Sequence, residues 1–110
     1  MAASQFDLGR FSEPALLILI SLVGVERHGY AMMEDIAAFS GVTMGPGTLY
    51  GALARLEKQR LIEAVPSNHR RQPYRLTPEG QRALERQLDA IHSVTSAGMK
   101  RLREANQERP

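Results

Sequence analysis

The feature that most limits how this chain can fold is an apolar run of eleven residues at 15–25, ALLILISLVGV, broken only by Ser21 and Gly24. The run is too long for an isolated buried strand and contains no cluster of turn-forming residues, so it predicts a buried helix. A helix that is apolar on every side must be covered on every side. In a chain of 110 residues, this requirement predicts several packed helices and a second subunit that covers part of the run.

Length and composition exclude several classes of protein. A membrane span needs about 20 apolar residues and the run is much shorter, so we expect a soluble, cytoplasmic protein with no membrane partner. Hydrophobic residues make up 43% of the chain and charged residues 24%, which is the ordinary balance of a globular domain. The chain has no cysteine, and this excludes disulfides, thiolate metal sites and thiol nucleophiles.

Capping and turn residues divide the rest of the chain into further elements. Pro14 after Ser12, and Pro78 after Thr77, are typical of helix N-termini. A break between helices is predicted at His28-Gly29. In chain order, the prediction is a helix from 14 to this break, helices over 30–39 and 46–60, strands over 61–65 and 72–76, and a long final helix that frays after 104.

This order of elements predicts a mainly α fold with a small β-hairpin. The loop between the second and third helices is about five residues long, as a helix-turn-helix requires. The predicted fold class is therefore a winged helix-turn-helix with a long C-terminal dimerisation helix. We assign residues 1–12 to an N-terminal arm, 13–77 to the winged helix-turn-helix, and 78–110 to the dimerisation helix and a polar tail.

The charge of the chain is concentrated in one segment. The whole chain holds 14 basic and 12 acidic residues, whereas residues 55–75 alone hold six basic and two acidic ones. Such a basic segment is the electrostatic footprint expected of a nucleic-acid-binding protein. On charge alone, a solvated surface with accidental clustering explains the pattern equally well.

The third predicted helix has the pattern of a DNA-reading helix. At about 100° per residue, Leu49, Leu53 and Leu56 share one face, which we expect to pack inward. Gly47 and Gly51 lie on the opposite face, where each costs about 1 kcal/mol relative to Ala. Glycines at such positions indicate that another molecule approaches the backbone closely. The alternative is that Gly45 and Gly47 only shape the turn.

Docking onto double-stranded DNA is favoured by three features together: the basic segment, the predicted hairpin and the small-residue face of the third helix. The hydroxyls of Thr48 and Tyr50 suit such contacts, and arginines at the wing tip suit phosphates or a narrow minor groove. The candidate DNA-binding residues are Thr43, Gly47, Thr48, Tyr50, Gly51, Arg55, Lys58, His69, Arg70, Arg71 and Arg75. Pro73 cannot donate to a sheet ladder, so its strand is expected at an edge or a bulge.

Four segments in the right order resemble the PadR family of transcriptional regulators. They are HGY at 28–30, GPGTLY at 45–50, LARLE at 53–57 and YRLTPEG at 74–80. The resemblance covers residues 15–88, and the single last helix suits the short class of the family. It implies a homodimeric winged-helix repressor of nearby genes for detoxification, efflux or stress response. It also implies that Thr48, Tyr50 and the basic wing residues contact operator DNA, while Tyr30 and Tyr74 are mainly structural.

Two departures from the family pattern stand out. The family commonly has Gly before the Leu-Ile that opens the wing, and this chain has Arg60 there. Arg60 either changes the path of the backbone at the end of the third helix or adds a contact to a DNA phosphate. The chain also has no Trp, which removes one platform for stacking flat aromatic effectors, so the ligand class of the family is not inherited.

The last helix carries a heptad seam with spacings of 4, 3, 4, 3 and 4, as in a coiled coil. The predicted dimer interface consists of this seam and two residues of the first helix: Leu16, Leu19, Leu84, Leu88, Ile91, Thr95, Gly98 and Leu102. The alternative is that the seam packs within its own subunit. Two-fold symmetry would place two reading helices in successive major grooves, which predicts a pseudo-palindromic operator with half-sites about one turn apart.

A pocket for a small hydrophobic or phenolic effector is a further hypothesis. It would lie between subunits, and its candidate lining residues are Ile18, Leu22, Met32 and Met33 together with residues of the last helix, because methionine-rich surfaces adapt to varied ligands. The simpler interpretation is that methionines at helical spacing belong to the core.

Catalysis, a metal site and other cofactors are not expected. The histidines His28, His69 and His92 lack metal-ligand spacing, and the chain has neither a glycine-rich phosphate loop after a strand nor a nucleophile beside a base. The stronger alternative is a winged helix that binds another protein. That alternative predicts an apolar outer face on the third helix and a neutral wing, and the sequence has neither.

Overall fold

The computed structural model describes residues 13–68 and 70–108. Its elements are α1 (Pro14–Ser21), β1 (Arg27–His28), α2 (Gly29–Ser40), α3 (Pro46–Lys58), β2 (Ile62–Ala64), β3 (Pro73–Leu76) and α4 (Pro78–Gln107). This is the mainly helical winged architecture that the sequence predicts. The predicted arm at 1–12 lies outside the described residues.

The apolar run forms a shorter helix than expected. α1 ends at Ser21, and Gly24 in the following turn has a φ of +74°, a left-handed conformation that favours glycine. The buried hydroxyl of Ser21 donates to Asp35 in α2 at 2.8 Å, which satisfies a polar group inside the core. Val23 and Val25 lie beyond the helix and are 55% and 42% exposed. The prediction that the helix continues to the break at His28 was therefore wrong.

α1 packs against three other helices of its own chain, namely α2, α3 and α4. The buried hydrophobic core consists of Leu17, Ile18, Leu19, Leu22, Met32, Ile36, Met44, Leu49, Ala52, Leu53, Leu56, Ile62 and Leu84. Leu16 and Ile20 pack against this core and remain only partly buried. A single chain thus covers most of α1, and only part of its surface is left for another molecule.

The wing is a three-stranded antiparallel sheet and not the predicted two-stranded hairpin. β3 is the central strand: β2 pairs with it on one side and β1 on the other, in the order β1-β3-β2. A strand of two residues has no readable periodicity, which is why the sequence did not indicate β1. The prediction that Pro73 marks an edge or a bulge was wrong. Pro73 is the first residue of the central strand, where its missing N–H is tolerated.

α3 ends in a Schellman motif. The N–H of Leu61 donates to the carbonyl of Leu56, and the N–H of Arg60 donates to the carbonyl of Glu57, both at 3.0 Å. Arg60 has a φ of +63°, the left-handed conformation that this motif requires and that glycine usually supplies. The family pattern of glycine before the wing therefore has a backbone reason, and Arg60 adopts the same conformation without being glycine.

The start of α4 is bonded directly to this turn. Thr77 is the N-cap of α4: its hydroxyl donates to the carbonyl of Arg60 at 2.7 Å, and its N–H donates to the carbonyl of Leu61 at 3.1 Å. A Cβ at Gly80 would collide with the carbonyl of Leu61. Glycine at this position therefore lets the first turn of α4 lie against the backbone that follows α3.

α4 extends far beyond the body of the protein. It has 30 residues, about 45 Å at the rise of an α-helix, and the molecule measures 66 × 31 × 19 Å. The helix continues to Gln107, beyond residue 104 after which the sequence predicts fraying. Across 13–68 and 70–108, no helix combines the length and the apolar character needed to cross a lipid bilayer.

Replacing Arg60 with Gly is expected to stabilise the fold by about 1 kcal/mol. A left-handed conformation costs an L-residue roughly 1–2 kcal/mol, and the larger entropy of glycine in the unfolded chain offsets part of that gain. Urea unfolding should show a higher midpoint with an unchanged slope. Ala54→Gly at an exposed position inside α3 is the control and should lower the midpoint, because glycine disfavours a helix interior. A lower midpoint for Arg60→Gly would contradict this account of the turn.

Candidate nucleic-acid interface

α3 has one buried and one exposed face, as its sequence predicts. Leu49, Leu53 and Leu56 are at most 3% exposed. Of the candidate residues in and before α3, Gly51 is half-buried and the rest are exposed: Thr43, Gly47, Thr48, Tyr50, Arg55 and Lys58. A Cβ at Gly47 would meet nothing within 4 Å. The packing of this part of the chain therefore does not require glycine there, and the small residue leaves room for an external molecule.

A cleft of about 370 Å³ opens between the wing, the start of α2 and α3. We call it the wing–helix cleft, and it is lined by His28, Gly29, Tyr30, Tyr50, Arg70, Arg71 and Gln72. The guanidinium carbon of Arg71 lies 5.6 Å from the centroid of the Tyr30 ring, within the range of a cation–π interaction. The fold thus brings wing arginines together with tyrosines from two helices.

Tyr50 reaches from α3 to the backbone at the start of α2. A Cβ at Gly29 would lie 2.7 Å from Cζ of Tyr50 and 3.1 Å from Cδ2 of Leu49. Gly29 is buried, whereas Tyr50 is 51% exposed. The glycine of the HGY segment therefore permits a close approach that holds the Tyr50 ring in the wing–helix cleft.

Tyr74 connects the wing to α3. Its burial raises the pKa of the phenol above its ordinary value, and the nearby Glu57 and Tyr50 raise it further. Tyr74 is partly buried against the hydrophobic core. A neutral phenol between sheet and helix agrees with the structural role that the resemblance implies.

Arg75 is not grouped with the other candidate DNA-binding residues. Its Nε donates to the carboxylate of Glu63 at 2.7 Å, and Glu26 lies 3.9 Å from Nη1. Successive side chains point to opposite faces of a sheet, so Arg75 and Tyr74 lie on different faces. Arg75 lines a separate cavity beside Gly24 and Gln81. His69, another candidate, lies outside the described residues.

The predicted interface residues near the body pack largely within one chain. Leu84 is 3% exposed and belongs to the hydrophobic core, as the intrachain alternative supposed. Leu16, Leu19 and Leu84 also line a groove of about 430 Å³ between α1 and α4, together with Ala83 and Gln87. This groove is the point where the core reaches the surface beside α4.

The seam residues farther along α4 are uncovered. Leu88 and Leu102 are 40% and 66% exposed, Ile91 is half-buried, and Thr95 and Gly98 are exposed. Val94 and Met99 flank the seam and are also exposed. Sequence reasoning missed these two because it counted only the heptad positions, although an apolar stripe wider than two positions per heptad was visible.

The four candidate effector residues do not surround one open cavity. Ile18 and Met32 are fully buried in the core, and Met33 packs partly buried against it. Leu22 is buried but contributes to the cavity beside Arg75. A ligand could reach the first two only by opening the core, so for them the structure agrees with the simpler core interpretation.

Sequence reasoning also missed parts of the wing–helix cleft. His28 was interpreted as a helix break and as a cap or surface residue; it caps α2 and, which the sequence did not indicate, it also lines the cleft. Gln72 lines the cleft and donates to the carbonyls of Val65 and Pro73 at 2.8 and 2.9 Å. Only the folded wing brings Gln72 near His28 and the start of α2. Within the described part of the chain, no three His, Asp or Glu side chains converge in a way that could hold a metal ion.

Comparison with known sequences identifies one family and one curated relative. The family described as transcriptional regulator PadR-like matches residues 17–86. An uncharacterised 37.1 kDa protein in a transposon of Streptomyces fradiae is 42% identical over 82 residues, which are 74% of this chain and 24% of that protein. The chain thus spans about a quarter of the length of this relative.

Solved structures share the fold. A PadR family transcription regulator from Clostridium difficile has a TM-score of 0.74 and 27% identity, covering 83% of this chain and 99% of that chain. A PadR family transcriptional regulator from Eggerthella lenta has a TM-score of 0.64 and 33% identity, covering 82% and 80%. A transcriptional regulator from Clostridium thermocellum has a TM-score of 0.69 and 28% identity, covering 79% and 87%. These similarities confirm the winged-helix fold class.

Replacing Gly29 with Ala is expected to displace the Tyr50 ring and to destabilise the protein by at most about 1 kcal/mol, because the added methyl group overlaps the far end of a side chain that is 51% exposed and can turn aside. Urea unfolding measures this loss, and NMR should show shifted Tyr50 ring resonances in the folded variant. Gly47→Ala is the matched control: its methyl group meets no neighbour, and alanine should stabilise α3 by up to about 1 kcal/mol. Equal stabilisation by both substitutions would show that Tyr50 does not lie against Gly29.

Proposed function

The chain belongs to the PadR-like family of transcriptional regulators, and from this premise we propose that it is a homodimeric repressor that binds a pseudo-palindromic operator in double-stranded DNA. Family membership places it among regulators and not among enzymes. In each subunit, α3 enters the major groove and the wing contacts the phosphate backbone beside it. The outer face of α3 carries glycines, hydroxyls and cations, which favours DNA over a protein partner.

The observation that carries this proposal is the uncompensated positive charge of the wing next to the exposed face of α3. Arg70 and Arg71 line the wing–helix cleft. None of the ion pairs found among residues 13–68 and 70–108 involves either of them. Arginines without carboxylate partners can bind phosphates, whose neutralisation supplies much of the affinity for DNA.

The exposed stripe of α4 supports dimerisation with a second copy. Leu88, Val94, Met99 and Leu102 are each at least 40% exposed, and an apolar patch rimmed by polar residues is typical of an interface. A Cβ at Gly98 would meet nothing within 4 Å, so this glycine leaves space for the backbone of a partner helix. A heptad seam fits an identical helix under two-fold symmetry.

A small hydrophobic or phenolic effector completes the proposal. The groove between α1 and α4 is the best candidate for its binding site, because Leu16, Leu19 and Leu84 give it an apolar lining. It lies beside the exposed stripe of α4 that a second subunit would cover. A ligand bound there would alter the angle between the two subunits and so the spacing of the two reading helices.

Replacing Arg70 and Arg71 together with Ala is expected to weaken binding to every DNA duplex. The slope of log affinity against log salt concentration should fall by about one unit for each phosphate that the wing no longer neutralises. Fluorescence anisotropy between about 50 and 200 mM salt, with the DNA upstream of its own gene and a scrambled duplex, measures both effects.

Arg75→Ala is the matched control for this measurement, because Arg75 is already paired with Glu63 and its replacement should leave the slope unchanged. Tyr50→Ala should harm operator binding more than binding to the scrambled duplex if the ring lies at the groove. An unchanged slope for the double variant would exclude the wing as a phosphate-binding element. No binding of wild-type protein to any duplex would favour the protein-interaction alternative.

Replacing Leu102 with Glu is expected to raise the dissociation constant of the dimer about 100-fold or more. Symmetry removes two leucines from the interface, each worth about 1.5–3 kcal/mol when fully buried. Sedimentation equilibrium measures this change. Ser93→Glu adds the same charge to the opposite face of α4 and should leave the dimer intact. A dimer of unchanged affinity in the Leu102→Glu variant would place the interface elsewhere.

A further inference from the structure

The two ring nitrogens of His28 have different partners. Nδ1 accepts a hydrogen bond from the backbone N–H of Ala31 at 3.3 Å and thereby caps α2. A nitrogen that accepts carries no proton, so the proton of the neutral ring is on Nε2. In the tautomer that keeps this cap, the Nε2 atom of His28 is therefore a donor.

This donor faces another donor. Nε2 of His28 lies 3.4 Å from Nη1 of Arg71, and every guanidinium nitrogen can only donate. In the tautomer that keeps the cap, these two donors do not bond to each other and instead leave a position where a third, electron-rich atom can accept from both. The opposite tautomer exchanges the bond from Ala31 for one from Arg71, and an anion bound between the two donors selects the tautomer that keeps the cap.

The surroundings of this pair suit an anion. The Tyr30 ring lies under the Arg71 guanidinium and holds it in the wing–helix cleft. Arg70 adds a second positive charge, and no carboxylate among residues 13–68 and 70–108 lines the cleft. The cleft volume of about 370 Å³ exceeds that of a phosphate group.

We propose that Nε2–H of His28 and the guanidinium of Arg71 bind the non-bridging oxygens of one phosphate of the DNA backbone in the wing–helix cleft. The proposal rests on the DNA-binding function proposed above and adds His28 to the DNA-binding residues. His28 lies where β1 meets the start of α2, and Arg71 lies in the loop between β2 and β3. One shared phosphate therefore fixes this loop relative to the start of α2 and, through Tyr50 over Gly29, relative to α3.

The test uses substitutions that keep the cap and change the donor. His28→Asn retains an acceptor for the Ala31 N–H, since Asn is a good N-cap, but cannot reach the phosphate. Its affinity for a random-sequence duplex should fall about tenfold, the effect of losing one hydrogen bond to a charged group. A random duplex suffices because phosphate contacts carry no sequence information.

His28→Asp tests whether the position beside Arg71 holds an anion. Asp is an equally good N-cap, but its carboxylate would occupy the anion position and pair with Arg71. The affinity should fall more than tenfold, and the salt slope should fall by about one unit, because one cation is neutralised. If His28 only caps α2, the His28→Asn variant should bind like wild type with the same thermal midpoint, and that result would overturn the proposal.

A double-mutant cycle asks whether the two residues hold the same phosphate. His28→Asn should weaken binding little when combined with Arg71→Ala, because the Arg71 substitution by itself already releases the shared phosphate. Combined with Arg55→Ala on α3, its effect should multiply, which serves as the control.

The outcomes separate this site from the function on which it rests. Multiplicative losses of affinity in the Arg71 pair, with wild-type protein binding the duplex, would overturn the shared phosphate and leave DNA binding standing. Failure of the wild-type protein to bind any duplex at about 50 mM salt, where phosphate contacts are strong, would overturn both.

Discussion

The hydrogen bonds of Thr77 set the geometry on which the rest of the molecule depends. Its hydroxyl donates to the carbonyl of Arg60 and accepts from the N–H of Gly80 at 2.9 Å. The turn that follows α3 and the first turn of α4 are therefore fixed to each other, and the hairpin of β2 and β3 begins and ends at the same point. In a dimer joined along α4, this junction would set the distance between the two reading helices.

The apolar character of α1 is the second constraint, and it connects the core to the exposed helix. α2, α3 and α4 cover most of α1, which gives a small chain a continuous core without tryptophan. The uncovered part faces the groove lined by Leu16 and Leu84. Leu88 follows one turn later on α4 and is 40% exposed. The same apolar surface thus passes from the interior of one chain to the stripe that a second copy would cover.

Sequence reasoning succeeded where the signal is local and failed where it depends on distant residues. The start of α4 was readable from Thr77 and Pro78, because an N-cap acts within one turn. The inward face of α3 was readable from the spacing of its leucines. The ion pairs of Arg75 could not be predicted from the sequence, because Glu26 is brought close to Arg75 only by the pairing of β1 with β3. The wing–helix cleft was missed for the same reason, since His28 and Arg71 are 43 positions apart.

The sequence by itself determined the order and type of the main elements, the buried face of α3 and the concentration of positive charge, because periodicity, caps and composition act over short distances. The tertiary structure decided that Arg75 is paired with carboxylates, that Leu84 belongs to the core, and that His28 faces Arg71. These outcomes depend on how the sheet and the helices pack, and packing joins residues whose separation along the chain carries no signal. The chemical character of each residue could thus be predicted from the sequence. The wing–helix cleft, in contrast, exists only because the fold brings those residues together.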